Sequence, residues 1–381
     1  MKHQPQRRRA IGAGIAVLCA SLLGAAPALV ASATQSPAKQ GAQPREETRT
    51  LDALYQDAIA EGGDLVVYAG GDVPAQQEAT KRAFLARFPR INLTMIVDYS
   101  KFHDVRVDNQ LATGGPIADV VQLQTLHDFE RWKKQGRLLP YKPAGFSKVY
   151  RGFKDPDGTW SAIGVIAFSY MVDPAIGSDA PASPKALADP AWAGKIASSY
   201  PSDDDAALYL YKLYAEAYGW DWIAKLAAQN IQFARGTNTP GAAVGAHQKA
   251  VGIAGSGSLT APASAPVKWM VTQGHPFLGW GQRAAILKDA RHTAAAKLYM
   301  NWQLSTARQE AAFNGWSVRT DVHPAGGLKP IWEYPDAHVA DFAAFMADRA
   351  EAERWRLTFA LYFGEVKGDP SPGWFGLRPG Q

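Results

Sequence analysis

Apolar and polar positions along the 381-residue chain switch repeatedly between two periods. "DLVVYAG" (64–70), "INLTMIV" (91–97) and "ADVVQLQ" (118–124) are short apolar runs rich in β-branched residues, the pattern of buried strands. Between the first two, "PAQQEATKRAFLARFP" opens on Pro74 and carries Ala79, Phe84 and Phe88 at helical intervals. "KFHDVRVDNQLATGG" reads as a second helix stopped by glycine. Strands separated by helices of this length predict an α/β fold with a largely parallel sheet. Past Trp132 come "GRLLPY", a turn at "DPDGTW" and the apolar run "AIGVIAFSYMV" (162–172), long enough to pass from one layer of structure into another. A second α/β set follows, with "GKIASSY", "NIQFAR" and "VGIAGSG" as strands and 203–218 and "PGAAVGAHQKA" as helices. The last third is mainly helical, and no repeat at a solenoid period is visible.

Composition changes this picture mainly at the N-terminus. Residues 1–33 combine the charged stretch with Arg7, Arg8 and Arg9, an apolar run from Ile11 to about Val30, and the small-residue site Ala31-Ser32-Ala33, which is the pattern of an export signal of the Sec or twin-arginine type. Cleavage after Ala33 removes four basic residues and no acid, so 40 bases against 35 acids become 36 against 35 and the net charge falls from +5 to about +1. No basic stripe remains to suggest nucleic acid. The only cysteine, Cys19, lies within the signal, and Leu18 before it is not the small residue a lipid attachment site needs. Residues 34–50 are polar with Pro and Gly and read as a flexible leader, so the folded part is expected from Leu51.

The ordered set "LVVYAG", "AFLARFP", "ADVV", "GRLLPY", "DGTW", "SPKALADPAWAGKI", "HQKAVGIA" and "AAILKDARHTAAAKLYMNWQLSTARQE" resembles the type II periplasmic substrate-binding proteins of ABC importers, in the branch of ferric-ion, sugar-phosphate, thiamine and polyamine binders. The resemblance covers most of residues 60–320. It implies two α/β lobes joined by crossing hinge strands, a small solute captured between them in the periplasm, and delivery to the membrane permease by a monomer that is not an enzyme. On that plan 51–163 and 277–305 form the N-terminal lobe, 164–276 and 306–365 the C-terminal lobe, and 366–381 a tail. In open α/β sheets ligands sit beyond the carboxyl ends of strands, which makes the strand-end loops the places to search.

Each such loop has a functional and a plain reading. Gly71 and Asp72 follow the first strand: paired glycines admit a ligand close to the backbone, and Asp72 is either a ligand acceptor or a cap. Gln124 and Thr125 end "ADVVQLQT"; where ferric-ion binders resembling this chain carry an acid, Gln124 is a neutral amide, poorly suited to hard trivalent iron. Those binders also carry a tyrosine pair after the strand matching "VGIAGSG", where this chain has "SGSLTAPASAPVKW". Ser256 there suits hydrogen bonds to an organic solute or a simple strand-end turn. Thr237 and Asn238 are helix caps or ligand contacts, and Trp280 is an apolar wall or interlobe packing.

The run Ser202-Asp203-Asp204-Asp205 poses the sharpest question. Ser202 suits an N-cap with Asp205 completing a capping box, and the dipole favours acids in the first turn. If Asp203 or Asp204 turns into the cleft instead, the solute carries amines, hydroxyls or a metal. Histidines are dispersed without metal-site spacing, and no dinucleotide loop, P-loop or complete nucleophile elbow occurs, so no cofactor or metal is expected. The alternatives are a ferric-ion-binding protein of an iron importer and, in another class, a periplasmic hydrolase built on Ser256 or a ligand sensor.

Overall fold

The computed structural model describes residues 44–312 and 314–379. The export signal expected over 1–33 lies outside the described residues. The leader expected over 34–50 is described only from residue 44, and there its acids are hydrogen-bonded to the fold. The Glu46 carboxylate accepts the backbone N–H groups of Gly145 and Ser147 at 2.7 and 2.8 Å, and Glu47 accepts the Tyr141 hydroxyl at 3.0 Å. These acids find donors from residues about 95–100 positions further on, which a polar composition alone does not announce.

Helix α1 (Leu51–Glu61) is capped by Thr50, whose side chain accepts the Ala53 N–H, and stopped at Gly62 with φ 126°. Strand β1 (Asp64–Gly70) pairs in parallel with β2 (Asn92–Asp98) and β3 (Val120–Leu123). Helices α2 (Glu78–Arg87), α3 (Ser100–Ala112) and α4 (Leu126–Lys134) connect or follow these strands, with a 3-10 turn at Pro74–Gln77 opening the first connection. Val67, Tyr68 and Ala69 are wholly buried, as a parallel strand covered on both faces requires.

Two strands cross from this half to the other. Strand β4 (Ser161–Val172) and the late strand β9 (Leu278–Ile286) pair antiparallel from Ser161/Ala284 to Phe168/Leu278. The end of β9 pairs with β3, while the end of β4 pairs with β7 (Val251–Ser256) and β8 (Lys268–Met270). Beyond β7 lie β5 (Ile196–Ser199) and β6 (Gln232–Ala234), so the sheet runs β2-β1-β3-β9-β4-β7-β5-β6 with β8 beside β4. The sheet is therefore mixed: each lobe is parallel, and the crossing strands are antiparallel because they run in opposite directions between lobes. The lobe boundary expected at 163/164 falls inside β4. Gly281 permits the close crossing, since a Cβ there would stand 2.7 Å from Ala162 Cβ.

The C-terminal lobe carries α5 (Asp205–Tyr218), α6 (Trp220–Ala227) and α7 (Thr239–Gly245). Helix α8 (Thr293–Gln303) returns to pack on α1, α9 (Thr306–Glu310) follows it, and α10 (Asp341–Ala347) and α11 (Arg349–Phe363) cover α5. The N-terminal core gathers Leu54, Phe84, Phe88, Tyr299 and Trp302, and the C-terminal core gathers Tyr211, Tyr214, Trp280, Phe342 and Phe359. Each such side chain contributes about 1.5–3 kcal/mol on burial. Helix α5 is apolar nearly all round, and Ser198 Oγ lies 2.7 Å from the Tyr211 hydroxyl inside the core.

The segment after α11 does not trail. From Gly364, with φ 78°, it leaves the C-terminal lobe and docks on α3. Arg106 donates to the carbonyls of Trp374 and Gly376 at 2.5 and 3.0 Å, with its guanidinium 4.0 Å from the centre of the Trp374 indole. Ser371 Oγ donates to Asp98 at 2.7 Å, and Asp98 in turn holds Arg106 at 2.6 Å in a buried pair. Among the described residues, no helix is long and apolar enough to cross a membrane.

Candidate functional site

The carboxyl ends of β1, β2 and β3 in one lobe and of β5, β6 and β7 in the other surround a cavity of about 600 Å³. After β1 the chain must pass close to β2 and α3. A Cβ on Gly70 would come 2.4 Å from Ser100 Oγ, and one on Gly71 2.6 Å from a Val97 methyl, so both glycines are fixed by packing as well as by lining the cavity. That turn aims Asp72 across the cleft, where its Oδ2 accepts from Thr237 N (2.9 Å), Thr237 Oγ1 (2.9 Å) and Asn238 N (3.0 Å). Burial pushes the Asp72 carboxyl above its ordinary range, a tendency these donors oppose and nearby Asp203 adds to.

Two further contacts join the lobes. Lys101, in the first turn of α3, donates to the Asp203 carbonyl at 2.7 Å and carboxylate at 2.5 Å. Gln124, held by its backbone N–H to Ser100 Oγ at 2.9 Å, donates its amide to Asp204 at 3.0 Å. The three consecutive aspartates are thus satisfied in three different ways. Asp203 meets Lys101 from the other lobe and Arg235 at 3.5 Å. Asp204 caps α5, accepting the Ala206 and Ala207 N–H groups at 2.9 and 2.8 Å, and Asp205 pairs with Arg349 and Arg356. Burial holds the Asp204 carboxyl up at about 6, with the Ala207 N–H as the main opposing influence and the nearby Asp72 adding to it.

Two sequence expectations are corrected here. Ser202 does not cap α5: the chain turns at Tyr200-Pro201, with the Asp203 N–H bonded to the Tyr200 carbonyl at 3.1 Å, so the helix starts later and Asp204 takes the cap. Ser202 Oγ is buried off the cavity wall without a hydrogen-bond partner among the described residues. Trp280 is not a wall either. It is 1% exposed and meets Phe168 and Phe342 edge-on at 5.0 and 5.5 Å in the C-terminal core, while Gln282, two residues on, reaches the cavity.

The structure places the other candidates, Gly71, Asp72, Gln124, Thr125, Asp203, Asp204, Thr237, Asn238 and Ser256, on the cavity wall. Thr125 Oγ1 is buried with no hydrogen-bond partner among the described residues. Ser256 Oγ accepts from the Asn314 amide at 3.2 Å, and an amide is not the proton-accepting base that a nucleophilic serine needs. Sequence reasoning missed Tyr99 and Lys101, which follow β2 and which the same strand-end rule would have found. It also missed Arg308, although that residue lies in the stretch "STARQE" quoted for the resemblance.

Asp104 and His127 line the cavity beside buried Asp128, and one ligand atom from each lies within 4.8 Å of the others. Arg131 bridges Asp104 and Asp128 at 2.7 Å each. Burial, reinforced by Asp128 and Asp108, pushes the Asp104 carboxyl up to about 7, and burial lowers His127. This group of two acids and one imidazole could hold a cation.

Among curated proteins none matches the chain. Several solved structures share its fold. Iron-bound HitA from Pseudomonas aeruginosa is 18% identical over 78% of this chain and 99% of that one, with TM-score 0.62. AfuA from Actinobacillus pleuropneumoniae with fructose-6-phosphate is 20% identical over 79% and 98%, with TM-score 0.61. The substrate-binding protein of an ABC transporter from Agrobacterium tumefaciens is 15% identical over 80% and 96%, with TM-score 0.63. Residues 115–317 match the family model described as bacterial extracellular solute-binding protein. With that match over more than half its length and a two-lobed cleft behind it, the chain belongs to the bacterial extracellular solute-binding proteins.

Proposed function

We propose that this binding protein of an ABC importer captures, by hinge closure, a small solute that presents hydroxyl, ammonium or metal-borne positive groups to Asp72, Asp203 and Asp204, and passes it to the membrane permease. One observation carries the reading. The N–H groups at the start of α5 and in the Thr237-Asn238 loop, which would suit an anionic solute, are taken by the chain's own Asp204 and Asp72. A phosphate placed there meets two carboxylates instead of open donors. The cavity volume suits a small organic molecule. A thermal-shift screen of polyamines, amino and hydroxy compounds, sugars, sugar phosphates and ferric salts tests this. A true solute at ~100 times its dissociation constant stabilises by about 2.7 kcal/mol. Stabilisation by sugar phosphates alone would overturn the reading.

Ferric-ion capture is the second reading. It is supported by the donor group Asp104, His127 and Asp128, by the iron-bound state of HitA, and by Tyr99, a phenol on the cavity wall supplied by the lobe opposite to the one where sequence reasoning sought a tyrosine. Against it, burial and the neighbouring Asp72 and Asp203 hold the Tyr99 phenol well above its ordinary range, so only a bound metal would ionise it. Ferric citrate producing a visible charge-transfer band, lost in Tyr99→Phe, would establish this second reading. No band and no thermal shift would remove it.

A further inference from the structure

The basic side chains on the cavity wall are not equivalent. Lys101 has Asp203, and Arg349 and Arg356 share Asp205. Arg308 lines the same cavity and has no carboxylate within ion-pair distance among the described residues. Its side-chain hydrogen bonds are long and neutral: Nη2 to Thr80 Oγ1 at 3.3 Å and Nε to Gln303 Oε1 at 3.4 Å. The guanidinium also lies 5.2 Å from the Trp302 ring, on the side of the aliphatic core.

Its neighbours keep it in place without neutralising it. Gln122 Oε1 accepts the Tyr299 hydroxyl at 2.6 Å, and that hydroxyl accepts the Gln303 amide N–H at 2.7 Å, which leaves the Gln303 carbonyl oxygen turned toward Arg308. The cavity wall as a whole is amide-rich, with Gln76, Gln77, Gln282 and Asn314 among its lining residues. Burial lowers the Arg308 pKa, as expected for a cation that lacks a counter-charge. A half-buried guanidinium with unused N–H donors is compensated best by a planar carboxylate, which it can grip bidentately. A single such cation balances one negative charge. A phosphate dianion would keep one charge uncompensated in a cleft already holding Asp72 and Asp204.

We infer that Arg308 is the specificity-determining residue for a carboxylate group on the solute, so that the transported class is a small amino- or hydroxycarboxylate. This rests on the reading that hydroxyl or ammonium groups face Asp72, Asp203 and Asp204, and adds a second, oppositely charged anchor to it.

The test is a calorimetric and thermal-shift panel on the purified protein. It contains 2-amino- and 2-hydroxycarboxylates with short side chains, their primary amides, the corresponding amines lacking the carboxylate, and inorganic phosphate. The expected result is that carboxylates bind, that amidation weakens binding by about 10- to 100-fold, and that Arg308→Gln produces the same loss for the acids but not for the amides. Arg308→Lys keeps the charge without the fork and recovers part of the affinity. Amides binding as well as acids, or acids binding Arg308→Gln as tightly as the wild type, overturns the inference and leaves the amine- and hydroxyl-directed reading standing. If nothing bearing an amine or hydroxyl binds, or phosphate binds in preference, the inference and the reading both fail. The acid-against-amide comparison on the wild-type protein decides the matter even if Arg308→Gln does not fold.

Discussion

Asp204→Asn isolates the cost of burying one carboxylate. Holding the Asp204 carboxyl at about 6 instead of its ordinary 3.8 costs the ionised form about 3 kcal/mol. The sign follows from proton counting. Between pH 3.8 and about 6 the folded state binds the proton that the unfolded chain has released, so this group's contribution to stability falls as pH rises through that window and is fully lost above it. Asparagine removes the titration and still caps, because its carbonyl oxygen accepts the Ala206 and Ala207 N–H groups and Asn is as good an N-cap as Asp. The Gln124 amide, which now donates to Asp204, turns over to accept from the new side chain. After an allowance of about 1 kcal/mol for that rearranged bond, the variant gains about 1–2 kcal/mol at pH 8 and little at pH 4. Differential scanning calorimetry at half-unit steps from pH 4 to 8 measures it as a melting point raised by about 1–2 °C per kcal/mol. Asp204→Ala, which has neither charge nor cap, loses about 1 kcal/mol of capping relative to the asparagine variant. If Asp204→Asn gains nothing between pH 4 and pH 8 relative to the wild type, the buried-carboxylate argument is wrong.

Trp280→Ala, in the C-terminal core, is expected to cost about 3–5 kcal/mol in urea unfolding while solute selectivity among binders stays unchanged. Lys101→Ala removes an interlobe ion pair and leaves Asp203 with Arg235 alone, so small-angle scattering of the solute-free protein should show a larger radius of gyration; an unchanged profile would mean this pair does not hold the lobes together. Trp374→Ala uncovers the Arg106 guanidinium beside a half-exposed ring and is expected to cost about 1–2 kcal/mol and to speed proteolysis near residue 370. Equal proteolysis rates would show that the indole does not secure the segment.

Within each lobe, local pattern carries most of the fold. The runs at 64–70 and 118–124 lie on β1 and β3 because a strand buried on both faces needs consecutive apolar residues, which are visible without a partner, while 91–97 lies on the edge strand β2, whose Asn92 and Thr94 are exposed. Strand β9 was harder to see: "LGWGQRAAI" mixes two glycines with Gln282, which faces the cavity, and Arg283, which pairs with Glu130 and lies over Trp160. The start of α5 was misplaced by a turn at Tyr200-Pro201 that competes with Ser202 for the cap. Asp72 meets its donors on the other lobe and Arg308 meets no carboxylate among the described residues, and no spacing along the chain encodes either. The last segment, "GDPSPGWFGLRPG", reads as a tail because its anchors, Asp98, Arg106 and Gln110, stand more than 250 residues earlier.

That segment also decides how motion in the molecule can be observed. The chain leaves the C-terminal lobe at Gly364 and is fastened to the end of β2 by Ser371 and to α3 by Trp374 and Leu377. A dye placed near the C-terminus therefore travels with the N-terminal lobe, although the helix just before it belongs to the other. Leu361, 87% exposed on α11, stays with the C-terminal lobe. A donor at one position and an acceptor at the other sit close in sequence yet on opposite sides of the hinge, so energy transfer between them reports cleft opening directly.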